Sequence, residues 1–263
     1  MRKQFGSGAL GNRRSTLAEP PKPVDVSAFA AIDREPITVI LSQKGWIRAV
    51  RGHQLDPAAQ KFKEGDGLRP DLPPLECMST DRLCLFASDG RAFTLRAGDL
   101  PRGRGDGQPI RLMVELGNEG EVMALFIPGD GSRYLLAGSN GRGLVIEAGD
   151  LSAEKRTGKQ ILNLKPGEKA VACVEAAGDQ VAVLGENRRL LVFPLSEVPV
   201  LGRGTGTILQ KYKDGGLKAV RVFASKTGLV WQDGAKARSM TDLRPYAGQR
   251  ADVGKSAPQW LPR

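Results

Sequence analysis

The chain has 263 residues, 40% of them hydrophobic, which is enough apolar material for a sizeable buried core. Its 39 Lys and Arg against 29 Asp and Glu leave a formal net charge of +10, a balance that suits an anionic partner such as nucleic acid or acidic lipid. Three cysteines without CxxC spacing, a single histidine and no long apolar run argue against a disulfide framework, a zinc site and a membrane-spanning helix, and fit a reducing cytosol.

Residues 1–36 differ from the rest. The start, "MRKQFGSGALGNRR", is basic and has no apolar segment behind it, so no signal peptide is expected. "LAEPPKPVD" (17–25) is proline-rich and predicts a linker. Residues 1–36 are therefore expected to be largely flexible, and 37–263 to form the folded domain.

From residue 37 the chain repeats. An apolar run recurs as "ITVIL" (37–41), "LCLFA" (83–87), "YLLAG" (134–138), "VAVLG" (181–185) and "GLVW" (228–231). Each run leads into a turn: Lys44-Gly45, Asp89-Gly90, Asn140-Gly141, Asn187-Arg188 and Asp233-Gly234. Asp-Gly and Asn-Gly pairs supply the positive φ that tight hairpins demand. A second strand follows, then a polar position at Gln54, Asp99, Asp150, Glu197 or Asp242, at intervals of 45 to 51 residues. After it come a Gly- and Arg-rich loop, another apolar strand and another polar turn. The 33 glycines and 17 prolines favour turns over long helices.

A period of this length with about four short strands per unit predicts blades around an axis. The expected fold is all-β: five four-stranded antiparallel blades at about 37–76, 77–121, 122–170, 171–219 and 220–263. Evenly spaced turns in a β-sandwich are the competing reading, disfavoured by five in-register matches. The repeat leaves open whether the ring closes between its first and fifth units.

The glycine-rich loops are "KFKEGDGLRPDL" (61–72), "PRGRGDGQPIRLM" (101–113), "EKRTGKQILNL" (154–164), "LGRGTGTILQKY" (201–212) and a weaker "YAGQRADVGKSAPQWL" (246–261). A nucleotide-binding loop needs a helix after it, whose N-terminus holds the phosphate. "QPIRLMVEL" after Gly107 is strand-like instead, and no GK[ST] triplet closes the loop. One basic loop per blade predicts a curved positive rim, suited to a phosphate backbone read without sequence. Catalysis has little support. His53 has no Ser or Cys partner beside it, the carboxylates are scattered through turns, and Tyr134 lies in an ordinary apolar strand. Trp231 and Trp260 are expected to pack in the interior. Trp46, between Lys44 and Arg48, is the best candidate for stacking.

These features together resemble a known family, the C-terminal domain of the A subunits of bacterial type IIA topoisomerases. "MRKQFGSGALGNRRSTLAE" (1–19) is similar to the basic segment that closes their breakage–reunion region. "REPITVILSQKGWIRAVRGHQLD" (34–56) resembles the first blade of the topoisomerase IV branch. The resemblance covers essentially the whole chain and implies a five-bladed β-pinwheel, in which neighbouring blades exchange strands. It departs from gyrase A, whose "QRRGGKG"-like wrapping box has only degenerate counterparts here, "PRGRGDG" (101–107) and "LGRGTG" (201–206). The alternative of a gyrase-type wrapping domain is weakened accordingly. None of Tyr134, Tyr212 or Tyr246 lies in an "RYT" context, so the resemblance implies no DNA cleavage by this chain alone.

The resemblance further implies duplex DNA as partner, together with the ATPase B subunit of the enzyme, the remainder of its A subunit, a monomeric isolated domain, and a cytoplasmic, chromosome-associated location. ATP and magnesium are left to other domains, and no cofactor or metal is expected here. The cations expected to neutralise phosphate are Lys44, Arg48, Arg51, Lys61, Lys63, Arg91, Arg96, Arg102, Arg104, Arg142, Lys155, Arg156, Lys159, Arg188, Arg189, Arg203, Lys211 and Lys213. About half of them are expected to be plain solvated charge. Gly103 and Gly105 are expected to let backbone N–H groups approach the phosphates. The rival readings are a propeller that docks an acidic protein and, more weakly, attachment to acidic lipid.

Overall fold

The computed structural model describes residues 34–56, 59–103, 105–117, 120–233 and 236–261, all within one compact unit, Arg34–Arg263. The linker expected over residues 1–36 falls outside the described residues as far as residue 33, and Arg104 falls outside them too.

The first repeat supplies β1 (Pro36–Leu41), β2 (Trp46–Arg51) and β3 (Leu75–Met78). The second supplies β4 (Arg82–Ala87), β5 (Arg91–Arg96), β6 (Gln108–Pro109) and β7 (Val122–Phe126). The third supplies β8 (Arg133–Gly138), β9 (Arg142–Glu147), β10 (Lys159–Gln160) and β11 (Ala170–Glu175). The fourth supplies β12 (Gln180–Gly185), β13 (Arg189–Pro194), β14 (Thr207–Ile208) and β15 (Leu217–Phe223). The fifth supplies β16 (Leu229–Asp233), β17 (Lys236–Met240) and β18 (Lys255–Ser256).

The sheets cut across the repeats. Their strand orders are β3-β1-β2-β6, β7-β4-β5-β10, β11-β8-β9-β14 and β15-β12-β13-β18, all antiparallel. Each hairpin takes its inner strand from its own repeat and its outermost, two-residue strand from the next. The blades are therefore strand-exchanged, and the contiguous segments 37–76, 77–121, 122–170 and 171–219 do not coincide with the sheets. The fifth unit departs from the four-stranded expectation. Among the described residues it is a lone hairpin, β16-β17, because β18 after it is committed to the fourth sheet.

The apolar runs explain the stacking. Successive strand residues point to opposite faces, so a run that is apolar throughout buries both. Leu83 and Leu85 face sheet one in a core with Ile37, Val39 and Ile47. Cys84 and Phe86, between and beside them, face sheet three with Leu136, Leu144 and Ile146. Leu135 and Val145 meet Val181 and Phe193 in the third core, and Leu184 and Leu190 meet Leu229 and Trp231 in the fourth. Four cores join five sheets, and among the described residues none joins the fifth to the first.

The outward face of sheet one is covered locally. Thr38 donates to Gly52 O at 2.7 Å, Ser42 bridges Leu68, and the Arg48 guanidinium lies 5.3 Å from the Phe62 ring centre. The first repeat's loop thus folds back on its own sheet. The inner strands β7, β11 and β15, with Pro70–Pro73 and Trp231, line a cavity of about 840 Å³.

Candidate nucleic-acid interface

The outer edge of each sheet is built by the loop before its exchanged strand. Ala49 N donates to Pro101 O at 2.9 Å, and Val145 N to Pro199 O at 3.0 Å. Gly248 N donates to Val192 O at 2.9 Å on the fourth sheet. The loop then turns sharply into the outer strand at Gly107 (φ +87) or Gly206 (φ +69). A Cβ at either would stand 2.3 Å from a carbonyl oxygen of the receiving sheet, Ile47 O or Gly143 O. Gly158 and Gly254 hold the same place on sheets two and four. Gly103 and Gly105 are different: they are exposed, and a Cβ there would meet nothing within 4 Å.

Several predicted phosphate ligands hold this loop in place. Arg91, Arg142 and Arg189 each open the second strand of a hairpin. Their Nη1 atoms donate to Thr157 O at 3.0 Å, Gly206 O at 3.1 Å and Gly254 O at 3.0 Å. Sheet one has Trp46 at that position, and Arg48 takes over: Nη1 donates to Gly105 O at 2.6 Å and Nη2 to Lys61 O at 2.9 Å. Arg48 is only 6% exposed. The two-residue outer strands leave loop carbonyls outside the ladder, and the forked guanidinium satisfies them. Arg188 holds the hairpin turn at φ +63 and donates to Pro258 O and Leu261 O at 2.6 and 2.8 Å. Arg156 donates to Met113 O at 3.2 Å and also to Leu112 O, while Lys159 donates to Asp150 O at 2.6 Å.

The remaining cations lie at the surface. Lys44 Nζ reaches Glu64 O at 3.4 Å, and Lys63 Nζ sits 4.4 Å over the Trp46 ring. Arg51 and Arg102 both pair with Glu35. Lys61, Arg96, Lys155, Arg203, Lys211 and Lys213 are exposed, and among the described residues no hydrogen bond or ion pair holds their side chains. Arg102, Lys155 and Arg203 occupy equivalent outer-edge loops of sheets one, two and three. Lys255, exposed on β18, gives sheet four its own edge cation. Sequence reasoning missed it, although aligning the glycine before each outer strand pairs Gly254-Lys255 with Gly158-Lys159.

Other chemistry finds no support. His53 Nε2 lies 3.0 Å from Cys77 O, a structural contact. Burial, and secondarily Asp81, pushes the Cys77 thiol up to about 11; burial pushes Cys84 up to about 12, so neither is a thiolate near neutral pH. Among the described residues no cluster of three His, Cys, Asp or Glu could hold a metal, and no helix is long and apolar enough to cross a membrane.

Fold and edge together define a class: a strand-exchanged β-propeller with cations along its outer strands. The family model described as "DNA gyrase C-terminal domain, beta-propeller" matches residues 81–128, 133–174 and 179–217. The DNA topoisomerase 4 A subunit of Caulobacter vibrioides is 43% identical over 248 residues, 94% of this chain and 32% of that protein. Its namesake from Rickettsia bellii is 36% identical over 264 residues, 99% of this chain and 35% of that protein. The chain thus spans about a third of the length of these curated relatives. The solved E. coli ParC C-terminal domain matches with a TM-score of 0.75 at 25% identity, covering 86% of this chain and 96% of that one. The chain belongs to the gyrase A C-terminal β-propeller family, and its relatives include topoisomerase IV A subunits.

Proposed function

We propose that this chain is the duplex DNA-binding domain of a type IIA topoisomerase A subunit of the topoisomerase IV kind, gripping DNA along its outer rim without reading sequence. The observation that carries the reading is the recurrence of an exposed cation at the outer edge of four successive sheets: Arg102, Lys155, Arg203 and Lys255. Cations spaced by a structural repeat can follow a phosphate backbone, whereas a single patch cannot. The domain guides the geometry of the duplex during decatenation and supercoil relaxation. Cleavage, ATP and magnesium belong to the ATPase B subunit or to other parts of the A subunit. The location is the cytoplasm, on the chromosome.

Binding of short duplexes, measured from low to moderate salt, tests the reading. Four neutralised phosphates give a log–log slope of about −3.6, at roughly −0.9 per phosphate. Arg203→Glu is expected to reduce the slope by about one unit and to weaken all sequences alike. A flat salt dependence would falsify the rim. Retention of an acidic protein without any DNA shift would establish the protein-docking rival instead.

A further inference from the structure

Sheet one carries a feature that its sister sheets lack. Arg51 pairs with Ile37 across the first hairpin. The residues at the same register in the next three hairpins are Arg96, Glu147 and Pro194. Arg102 bridges Ala49 at the outer edge, where sheets three and four have Val200 and Ala247. An outer-edge position that is apolar on sheets three and four is therefore arginine here, and Arg51 lies beside it on the neighbouring strand.

Both arginines converge on one carboxylate. Arg51 Nη2 lies 2.7 Å from Glu35 Oε1, and Arg102 Nη1 lies 3.1 Å from Glu35 Oε2. The Glu35 backbone is pinned: its N–H donates to Ser79 Oγ at 3.0 Å, and Ser79 N donates to Glu35 O at 2.9 Å. The arginines are freer, with side chains 81% and 43% exposed against 26% for Glu35. All three line an open pocket of about 460 Å³ together with Gly103, where a side chain would meet nothing. Two guanidinium groups on separate strands, each bonded to a different oxygen of one anion, form a cradle that fits a phosphodiester as well as a carboxylate.

We propose that Arg51, Arg102 and the open backbone at Gly103 form a phosphate-binding pocket at the first blade, and that Glu35 occupies it as an internal competitor. The proposal rests on the DNA-binding reading. A duplex phosphate displaces the Glu35 carboxylate, which swings into solvent while its backbone stays bonded to Ser79. Glu35 thereby sets the affinity of the first blade below that of an unopposed pair of arginines.

Glu35→Gln keeps the backbone contacts and removes the competing charge. The test compares the full chain with and without this change, titrated with a short duplex over a range of salt. An exposed ion pair is a weak competitor, so E35Q is expected to bind about two- to five-fold tighter. Its salt slope is expected to stay close to that of the unmodified protein, because a phosphate fills the pocket in both complexes. The gain should vanish when R51A and R102A are added, whereas a general charge effect would survive them. Steep salt dependence in the unmodified protein with no gain in E35Q overturns the pocket and leaves the rim intact. No duplex binding by either protein overturns both.

Discussion

Gly105 and Gly107 lie two positions apart in one loop and have different roles. Gly107 combines a positive φ with a carbonyl 2.3 Å from where its Cβ would be; Gly105 borders open space. Gly107→Ala is therefore expected to cost about 2–4 kcal/mol, from left-handed backbone strain and overpacking together. Gly105→Ala should stay within about 0.5 kcal/mol of the parent. Paired thermal unfolding curves check both. Equal effects at the two positions would mean that the close approach at Ile47 does not govern the loop. The sequence showed that the loop was glycine-rich, but the spacing of Gly103, Gly105 and Gly107 was the same for an open position as for a crowded one. Only the receiving strand, far away in the chain, separates them.

At the scale of the element, the exchanged outer strand is the weak component. Two residues form few ladder bonds, so each sheet adds an arginine that donates to the loop before the strand. Arg142→Ala leaves the Gly206 carbonyl without that donor and is expected to cost about 1–2 kcal/mol. Hydrogen exchange at Thr207 and Ile208, on β14, should quicken more than exchange elsewhere in sheet three. Arg203→Glu, in the same loop but facing solvent, should leave that exchange unchanged while weakening DNA binding. If R142A instead reduces DNA affinity with no change in exchange, Arg142 is a phosphate ligand and not a latch. The predicted cation set mixed these two kinds because a guanidinium bonded to a carbonyl and one facing water follow the same Gly-Arg pattern in sequence.

At the scale of the whole molecule, stability is shared between neighbours. Each interior sheet contributes to two cores, as consecutive residues of β4 show. The fifth hairpin contributes to one, and among the described residues it lacks both an inner and an outer partner. Protection from hydrogen exchange should therefore be lowest in β16 and β17 and highest in sheets two and three. Uniform protection through all five units would show that the fifth hairpin is stabilised by contacts beyond the fourth core. Sheet one, equally terminal, is protected differently, because its loop folds over Thr38 and Arg48.

The repeat, the all-β class, the hairpin turns and the basic bias were determined by the sequence alone. They depend on local rules: apolar runs make strands, Asn-Gly and Asp-Gly make turns, and composition sets charge. "LCLFA" and "VAVLG" announced apolar strands, and the turn spacing counted the units. Strand exchange was implied only by family resemblance, and it took the tertiary structure to decide which residues carry it. Pairing between Ile47 and Gln108, or Gly143 and Thr207, joins segments 61 and 64 residues apart, and nothing in either segment's own pattern names its partner. The same holds for charge. Sequence supplies the arginines, but whether each meets a carbonyl, a carboxylate or water depends on which distant strand the fold sets beside it.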